Sequence, residues 1–190
     1  MSNGIKVKKR KGHIETLNLE KMHKMVEEAT KDLAGVSASQ VEIQSGLQFY
    51  DGITTGEIQE ILIRSASDLI SLDNPNYQFV AARLLLFGVR KNIYGRMREL
   101  PDLLTQIKGG VDKGIYDGDI LTKYTEEEIE KIDSLIDHER DFLFTYAGLR
   151  QVVDKYLVQD RSTGELYETP QFMYMSVSYT HLTLPTICSV

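Results

Sequence analysis

Apolar residues recur every three or four positions through much of this chain, and short polar turns separate the runs. Leu19, Met22, Val26, Ala29 and Leu33 fall on one face of a helix over roughly 19–33, with Asn18 placed to cap it and Gly35 to end it. Ser37 is placed to cap a shorter helix through Val41 toward Leu47. In "FYDGITTGEIQE", Thr54 and Glu57 have the spacing of a capping box and open a helix carrying Ile58, Ile61, Leu62 and Leu69. "DNP", residues 73–75, stops that helix and starts another, where Tyr77, Val80, Ala81, Leu84 and Phe87 share a face until Gly95. Ahead of all these, "IKVKKRKGHIETL", residues 5–17, reads as two short strands turning at Lys11-Gly12. The pattern predicts a mainly α fold: a β-hairpin lid on a four-helix bundle over residues 1–95, enough for one compact core.

From 96 to 176 the pattern is looser. "KGG", residues 108–110, interrupts a weak helix; Thr125 and Glu128 form another capping box before Ile129, Ile132 and Ile136. "YLVQDRSTGELYET" reads as a hairpin turning near Gly164, and Thr169-Pro170 as the start of a helix carrying Phe172, Met173 and Met175. No closed core is evident, so this segment is expected to be the opening of a larger, incomplete domain. Residues 177–190, "VSYTHLTLPTICSV", hold no Asp, Glu, Lys or Arg and neither period, and the helix is expected to be cut off there within two turns. "VSYTHLTLPT" also resembles a translated transposase-adapter sequence, so 177–190 is expected to be a non-native tail, the alternative being a genuine polar C-terminus.

Charge changes the picture in one place. The formal net charge is −6, yet Lys6, Lys8, Lys9, Arg10 and Lys11 put five cations in the first twelve residues, leaving −11 for the rest. A basic patch on an acidic chain suits one anionic ligand at one end better than nucleic acid along a whole surface. No apolar run is long enough to span a bilayer and no signal-peptide core is present, which predicts a cytoplasmic protein without membrane contact. The single cysteine, Cys188, excludes a disulfide framework and a zinc ribbon.

The candidate chemistry carries double readings. Adjacent Lys9 and Arg10 point to opposite faces of a strand. They suit an anion, an edge hairpin guarded by lysines, or a "KKRK" nucleic-acid patch, the last disfavoured by the acidic remainder and the lack of interleaved aromatics. Glu15, Asn18 and Lys21 follow at three-residue intervals: a carboxylate and an amide able to read a purine edge and a lysine able to meet a phosphate, or simply a helix cap and surface residues. Thr55 and Gln59 share a face one turn apart, at a helix N-terminus that offers N–H groups to anions. Arg90 and Lys91 lie where cations complement a helix dipole. "DHERD", residues 137–141, lacks the second histidine of a zinc-protease pattern and reads as solvated helix surface. Neither G-x-x-x-x-G-K-[ST] nor G-x-G-x-x-G occurs, and no nucleophile–base pair is visible.

"VKKRKGHIETLNLEKM", "FYDGITTGEIQE" and "NYQFVAARLLLFGVRK" together resemble the ATP-cone domain that opens class I ribonucleotide reductase large subunits. "YTEEEIEKIDSLIDHERDFLFTYAGLRQ" and "KYLVQDRSTGELYETPQFMYM" resemble the stretch leading into that enzyme's catalytic domain. The resemblance covers residues 5–176 and implies a cone over 1–95 and the start of the reductase domain over 96–176. It implies an allosteric ATP or dATP effector, arriving with Mg2+, and in the full-length protein a radical-generating small subunit and a homo-oligomer as partners. Lys9, Arg10, Lys21 and Lys91 would then face the triphosphate, while Glu15 and Asn18 would read adenine. Val7, Leu17 and Met22 would wall the pocket, with Thr16, Thr55 and Gln59 completing it. Many members carry histidine where this chain has Gln59, near the ribose. The family's thiyl-radical reduction of ribonucleoside diphosphates for DNA synthesis needs three active-site cysteines, and residues 1–176 contain none; the fragment is therefore expected to be inactive alone, with no catalytic and no metal-ligating residue. A stand-alone module docking its basic hairpin on an acidic partner or nucleic acid is the alternative.

Overall fold

The computed structural model describes residues 5–9 and 12–182, with side chains as far as 178. It divides into two compact units, residues through Gly88 with Phe142–Arg150, and Val89–Asp141 with residues from Gln151 onward.

In the first unit, β1 (Lys6–Lys8) and β2 (Ile14–Thr16) form the expected hairpin, with Val7 opposite Glu15. Gly12 takes φ +87° in the loop, a left-handed conformation that suits glycine, and its N–H donates to the Lys9 carbonyl at 2.8 Å. Helices α1 (Leu19–Thr30), α2 (Ala38–Gly46), α3 (Thr55–Asp68) and α4 (Tyr77–Tyr94) follow the apolar spacing. α1 stops three residues short of Leu33; there Arg83 of α4 donates to the Ala29 and Lys31 carbonyls at 3.2 and 2.6 Å, closing the helix end from outside. Ser37 occupies the cap position of α2 without a side-chain bond; its backbone N–H donates instead to the Tyr77 hydroxyl at 3.0 Å.

One element is absent from the sequence pattern. β3 (Ile53–Thr54) pairs parallel to β1, Val7 with Ile53 and Lys8 with Thr54, giving a three-stranded sheet in the order β2-β1-β3. Val7 is 2% exposed and Ile53 fully buried, so the sheet sits on the bundle through the centre of its inner strand.

The second unit corrects several expectations. It does close a core, with Leu103, Ile107, Ile129 and Phe172 buried together. Gly109-Gly110 does not interrupt α5 (Leu103–Asp112); a Cβ on Gly110 would lie 2.1 Å from the Tyr116 ring, so the glycine makes room for a packed aromatic. A short α6 (Asp119–Lys123) precedes α7 (Glu126–Asp133), whose Thr125–Glu128 capping box forms as expected, with Ile136 beyond its end. "DHERD" leads into a 3-10 turn at His138–Leu143 rather than forming a solvated helix. Asp141 is 1% exposed, 3.0 Å from the guanidinium of Arg90, and accepts from Gln171 at 3.0 Å. Arg90, also buried, thus neutralises a carboxylate within the unit and is no surface cation. α8 (Tyr146–Lys155) leads to the turn at Gly164, where Gln159 and Leu166 form one antiparallel bridge in place of two strands. α9 (Pro170–Leu182) runs past Val177 instead of stopping there: no glycine or proline intervenes before Pro185, and the Ser178 hydroxyl bonds the Tyr174 carbonyl one turn back. Among the described residues, no helix is long and apolar enough to cross a membrane.

Candidate functional site

The register of the small sheet decides which hairpin side chains meet. Val7 and Glu15 are directly opposed, so they share a face. Lys9 lies two residues beyond Val7 and joins that face, and Leu17 extends it through its N–H bond to the Ile5 carbonyl at 2.8 Å. Burial follows the same division. Val7 is buried and Lys9, Glu15 and Leu17 are half-buried, while Lys6, Lys8, Ile14 and Thr16 are exposed on the other face. Thr16 is therefore separated from its predicted neighbours. Arg10 lies outside the described residues.

On the covered face, Lys9 Nζ stands 2.8 Å from Glu15 Oε1, and His13 Nε2 stands 3.8 Å from Glu15 Oε2. The Lys9 hydrogen bond, with smaller contributions from the charges of Lys9, Lys21 and His13, holds the Glu15 carboxyl below its ordinary range. A carboxylate among cations stays an acceptor at neutral pH.

The chain then passes into α1. Asn18 caps it, its Oδ1 accepting from the Lys21 N–H at 2.9 Å, which leaves the amide nitrogen as the donor Asn18 presents outward. The cap sets Lys21 in the first turn, exposed, and Met22 beside it, half-buried.

β3 brings the second half of the set alongside. It runs directly into α3, whose cap is Thr54. Thr54 N and Oγ1 donate to Glu57 Oε2 at 2.8 and 2.7 Å, and Glu57 N returns a bond to Thr54 Oγ1 at 3.2 Å. Tyr50 donates to the other Glu57 oxygen at 2.8 Å. Because Lys8 pairs with Thr54, the first turn of α3, with Thr55 at its opening, lies at the same end of the sheet as Lys9. Gln59, one turn on, is half-buried and donates through Nε2 to the Leu84 carbonyl of α4 at 2.6 Å. Lys91 is exposed in the last turn of α4 and belongs to the second unit.

The first unit carries Val7, Lys9, Glu15, Leu17, Asn18, Lys21, Met22, Thr55 and Gln59 on the hairpin, α1 and α3; direct contacts join Lys9 with Glu15 and Asn18 with Lys21, while Gln59 turns to α4. Sequence reasoning missed the strand that joins them, along with Tyr50 and Asp51, whose Oδ1 accepts from the Lys6 N–H at 2.8 Å. The only signal is the turn "YDG" ahead of two β-branched residues. Chemically, the hairpin and the first turn of α1 offer the ammonium groups of Lys9 and Lys21, the Glu15 carboxylate and the Asn18 amide, residue types that suit an anionic ligand with a polar ring.

Residues 5–92 match the ATP cone domain. The chain is 48% identical over 178 residues to the ribonucleoside-diphosphate reductase 1 subunit alpha of Escherichia coli strain K12, an alignment covering 94% of this chain and 23% of that protein. It is 45% identical over 145 residues to the ribonucleoside-diphosphate reductase subunit alpha of Enterobacteria phage T4, 75% of this chain and 19% of that one. With the corresponding Helicobacter pylori subunit it is 39% identical over 175 residues, 92% and 21% of the two chains. The chain therefore spans less than a quarter of the length of these relatives.

Proposed function

Because the chain belongs to the ribonucleoside-diphosphate reductase alpha-subunit family, we propose that its first 95 residues bind ATP or dATP as an allosteric effector of a reductase. The observation that carries this reading is the Lys9–Glu15 pair on the covered face of the hairpin, with the charge of Lys21 adding to the lowering of the Glu15 carboxyl. Lys9 and Lys21 would meet the triphosphate, a role that the resemblance alone also implies for Arg10 and Lys91, with Mg2+ held by the phosphates. Charge-assisted bonds of this kind contribute on the order of 1.5–3 kcal/mol each. Glu15 and Asn18 would read the base, and Thr55 would lie near the sugar. The whole subunit would reduce ribonucleotides together with a small subunit, as part of a larger assembly in the cytoplasm, and occupancy of the cone would set its activity. Residues 1–176 contain no cysteine, and the role proposed for them is regulation. Residues 96–176 would open the reductase domain, and 177–190 would be foreign to it. Nothing in the comparisons favours a stand-alone docking module.

Thermal unfolding of the chain with ATP, dATP and GTP tests the reading. At about a hundred times its dissociation constant an effector stabilises by roughly 2.7 kcal/mol. A rise in Tm with the adenine nucleotides and not with GTP, reduced in a Lys21→Ala, Lys91→Ala variant, is expected. No rise with any nucleotide in a folded sample overturns it.

A further inference from the structure

We propose that the second unit carries a small-molecule site of its own: a cleft beside α5 that takes a phosphate monoester of a single flat ring, the phosphate held between Arg96 and Lys113. Every residue lining the cleft belongs to the second unit, so the site stands independently of the nucleotide reading.

The cleft holds about 240 Å³. That is below the roughly 300–1,000 Å³ of pockets for drug-sized ligands, which limits the occupant to one ring and one small charged group. Its floor is fixed by a chain of hydrogen bonds. Gln106, 9% exposed, accepts from the Tyr94 hydroxyl at 3.0 Å and donates to the Tyr116 hydroxyl at 3.2 Å and the Tyr167 carbonyl at 2.8 Å. The Tyr116 hydroxyl donates in turn, at 2.7 Å, to Glu168, which is buried outside the cleft and accepts the Val158 N–H at 3.0 Å on its other oxygen. Tyr94 and Tyr116, held by their hydroxyls, offer flat apolar surface to a ring at little further entropic cost.

Two cations complete the site. Arg96 follows the left-handed Gly95 that ends α4, and Lys113 follows α5. Both line the cleft, and among the described residues neither side chain makes a hydrogen bond or ion pair. Glu165 is the one acid in the lining, so the balance of charge favours an anion. A forked guanidinium and a compact ammonium on separate segments match the several oxygens of a phosphate better than the two of a carboxylate. Complementing a helix dipole accounts for either cation alone. It does not account for Gly109. Glycine is a poor helix former, and Gly110 is needed to admit the Tyr116 ring, but a Cβ at Gly109 would meet nothing within 4 Å. Gly109 lines the cleft, and what its missing side chain preserves is open space for an occupant.

Calorimetric titration of the whole chain with phenyl phosphate, benzoate and inorganic phosphate tests the site. One saturable site for phenyl phosphate is expected, tighter than for benzoate, which carries less charge, or for inorganic phosphate, which lacks the ring. The double variant Arg96→Met, Lys113→Met should weaken it by roughly tenfold or more. Gly109→Leu, which fills the cleft from an exposed helix position, should weaken it likewise with no fall in the urea midpoint. Lys21→Ala in the first unit should leave it unchanged, and the cleft variants should bind ATP as the unaltered chain does. Loss of phenyl phosphate in Lys21→Ala with retention in the cleft variants overturns the site and moves the probe to the first unit. Equal affinity for benzoate overturns the phosphate assignment. Absence of saturable binding by the folded, unaltered chain overturns the site and leaves the nucleotide reading intact, whereas failure of ATP alone to bind overturns only that reading.

Discussion

The side-chain amide of Gln59 on α3 donates to the Leu84 carbonyl on α4 across 2.6 Å. Leu84 lies mid-helix, so its carbonyl already serves the backbone and the amide adds a second bond between helices. Gly88, one turn further, makes the approach possible, since a Cβ there would stand 3.2 Å from Gln59 Cγ. Gln59→Ala should cost about 1 kcal/mol, read as a lower urea midpoint at unchanged slope.

The buried pair in the second unit should be far more sensitive. Arg90 and Asp141 are 2% and 0% exposed at the side chain, and removing one partner strands the other charge. Asp141→Ala is expected to destabilise by about 3–5 kcal/mol. The double variant Arg90→Met, Asp141→Leu should recover much of that loss in chemical denaturation, because no unpaired charge remains.

Neighbouring glycines should respond in opposite directions. A methyl group added at Gly109 would meet nothing within 4 Å, whereas one added at Gly110 would be driven into the Tyr116 ring at 2.1 Å. Gly109→Ala is expected to stabilise α5 by about 0.5–1 kcal/mol through helix propensity. Gly110→Ala should destabilise by about 1–3 kcal/mol through overpacking. Paired thermal melts decide it.

His23 Nδ1 of α1 lies 2.7 Å from Glu42 Oε1 of α2, and His23 Nε2 lies 3.8 Å from Glu27. The Glu42 hydrogen bond raises the imidazole above its ordinary value of 6.5. Folding therefore favours the protonated ring. Its contribution is complete below pH 6.5 and is lost as pH rises through the raised value. The fall in Tm between pH 6 and pH 8.5 should shrink in Glu42→Gln, and should shrink further in high salt.

How much of this is legible in the sequence follows from the range of the forces involved. Helices announce themselves where local spacing and capping decide: Thr54 with Glu57 and Thr125 with Glu128 form the boxes their order implies. Ser37 makes no side-chain cap bond, and what its place in the fold provides instead, a backbone N–H bond to the hydroxyl of Tyr77, lies too far along the chain to be read locally. β3 is two residues long, too short for any period, and exists only because Val7 and Lys8 supply its partners. Gly110 reads as a breaker because its reason, the ring of Tyr116, lies outside the helix. Asp141 reads as solvated because Arg90 is distant in sequence. Among the candidate site residues, Glu15, Asn18 and Lys21 are recognisable by type and spacing. That Thr16 turns to the opposite face follows from alternation alone, and is hidden when the whole segment is read as one basic hairpin.

The parallel pairing of β1 with β3 also bears on how the protein assembles. The hairpin closes a loop of roughly eight residues, whereas the Lys6–Asp51 bond that flanks the parallel pair joins residues 45 apart. Loop-closure entropy makes the second step costlier by about 1.5 kcal/mol, so the hairpin and the helices between can order before β3 docks. Substitutions at Ile53 should then leave the refolding rate nearly unchanged and accelerate unfolding. The proposed nucleotide cradle would then be, in kinetic terms, the part of the first unit completed last and released first.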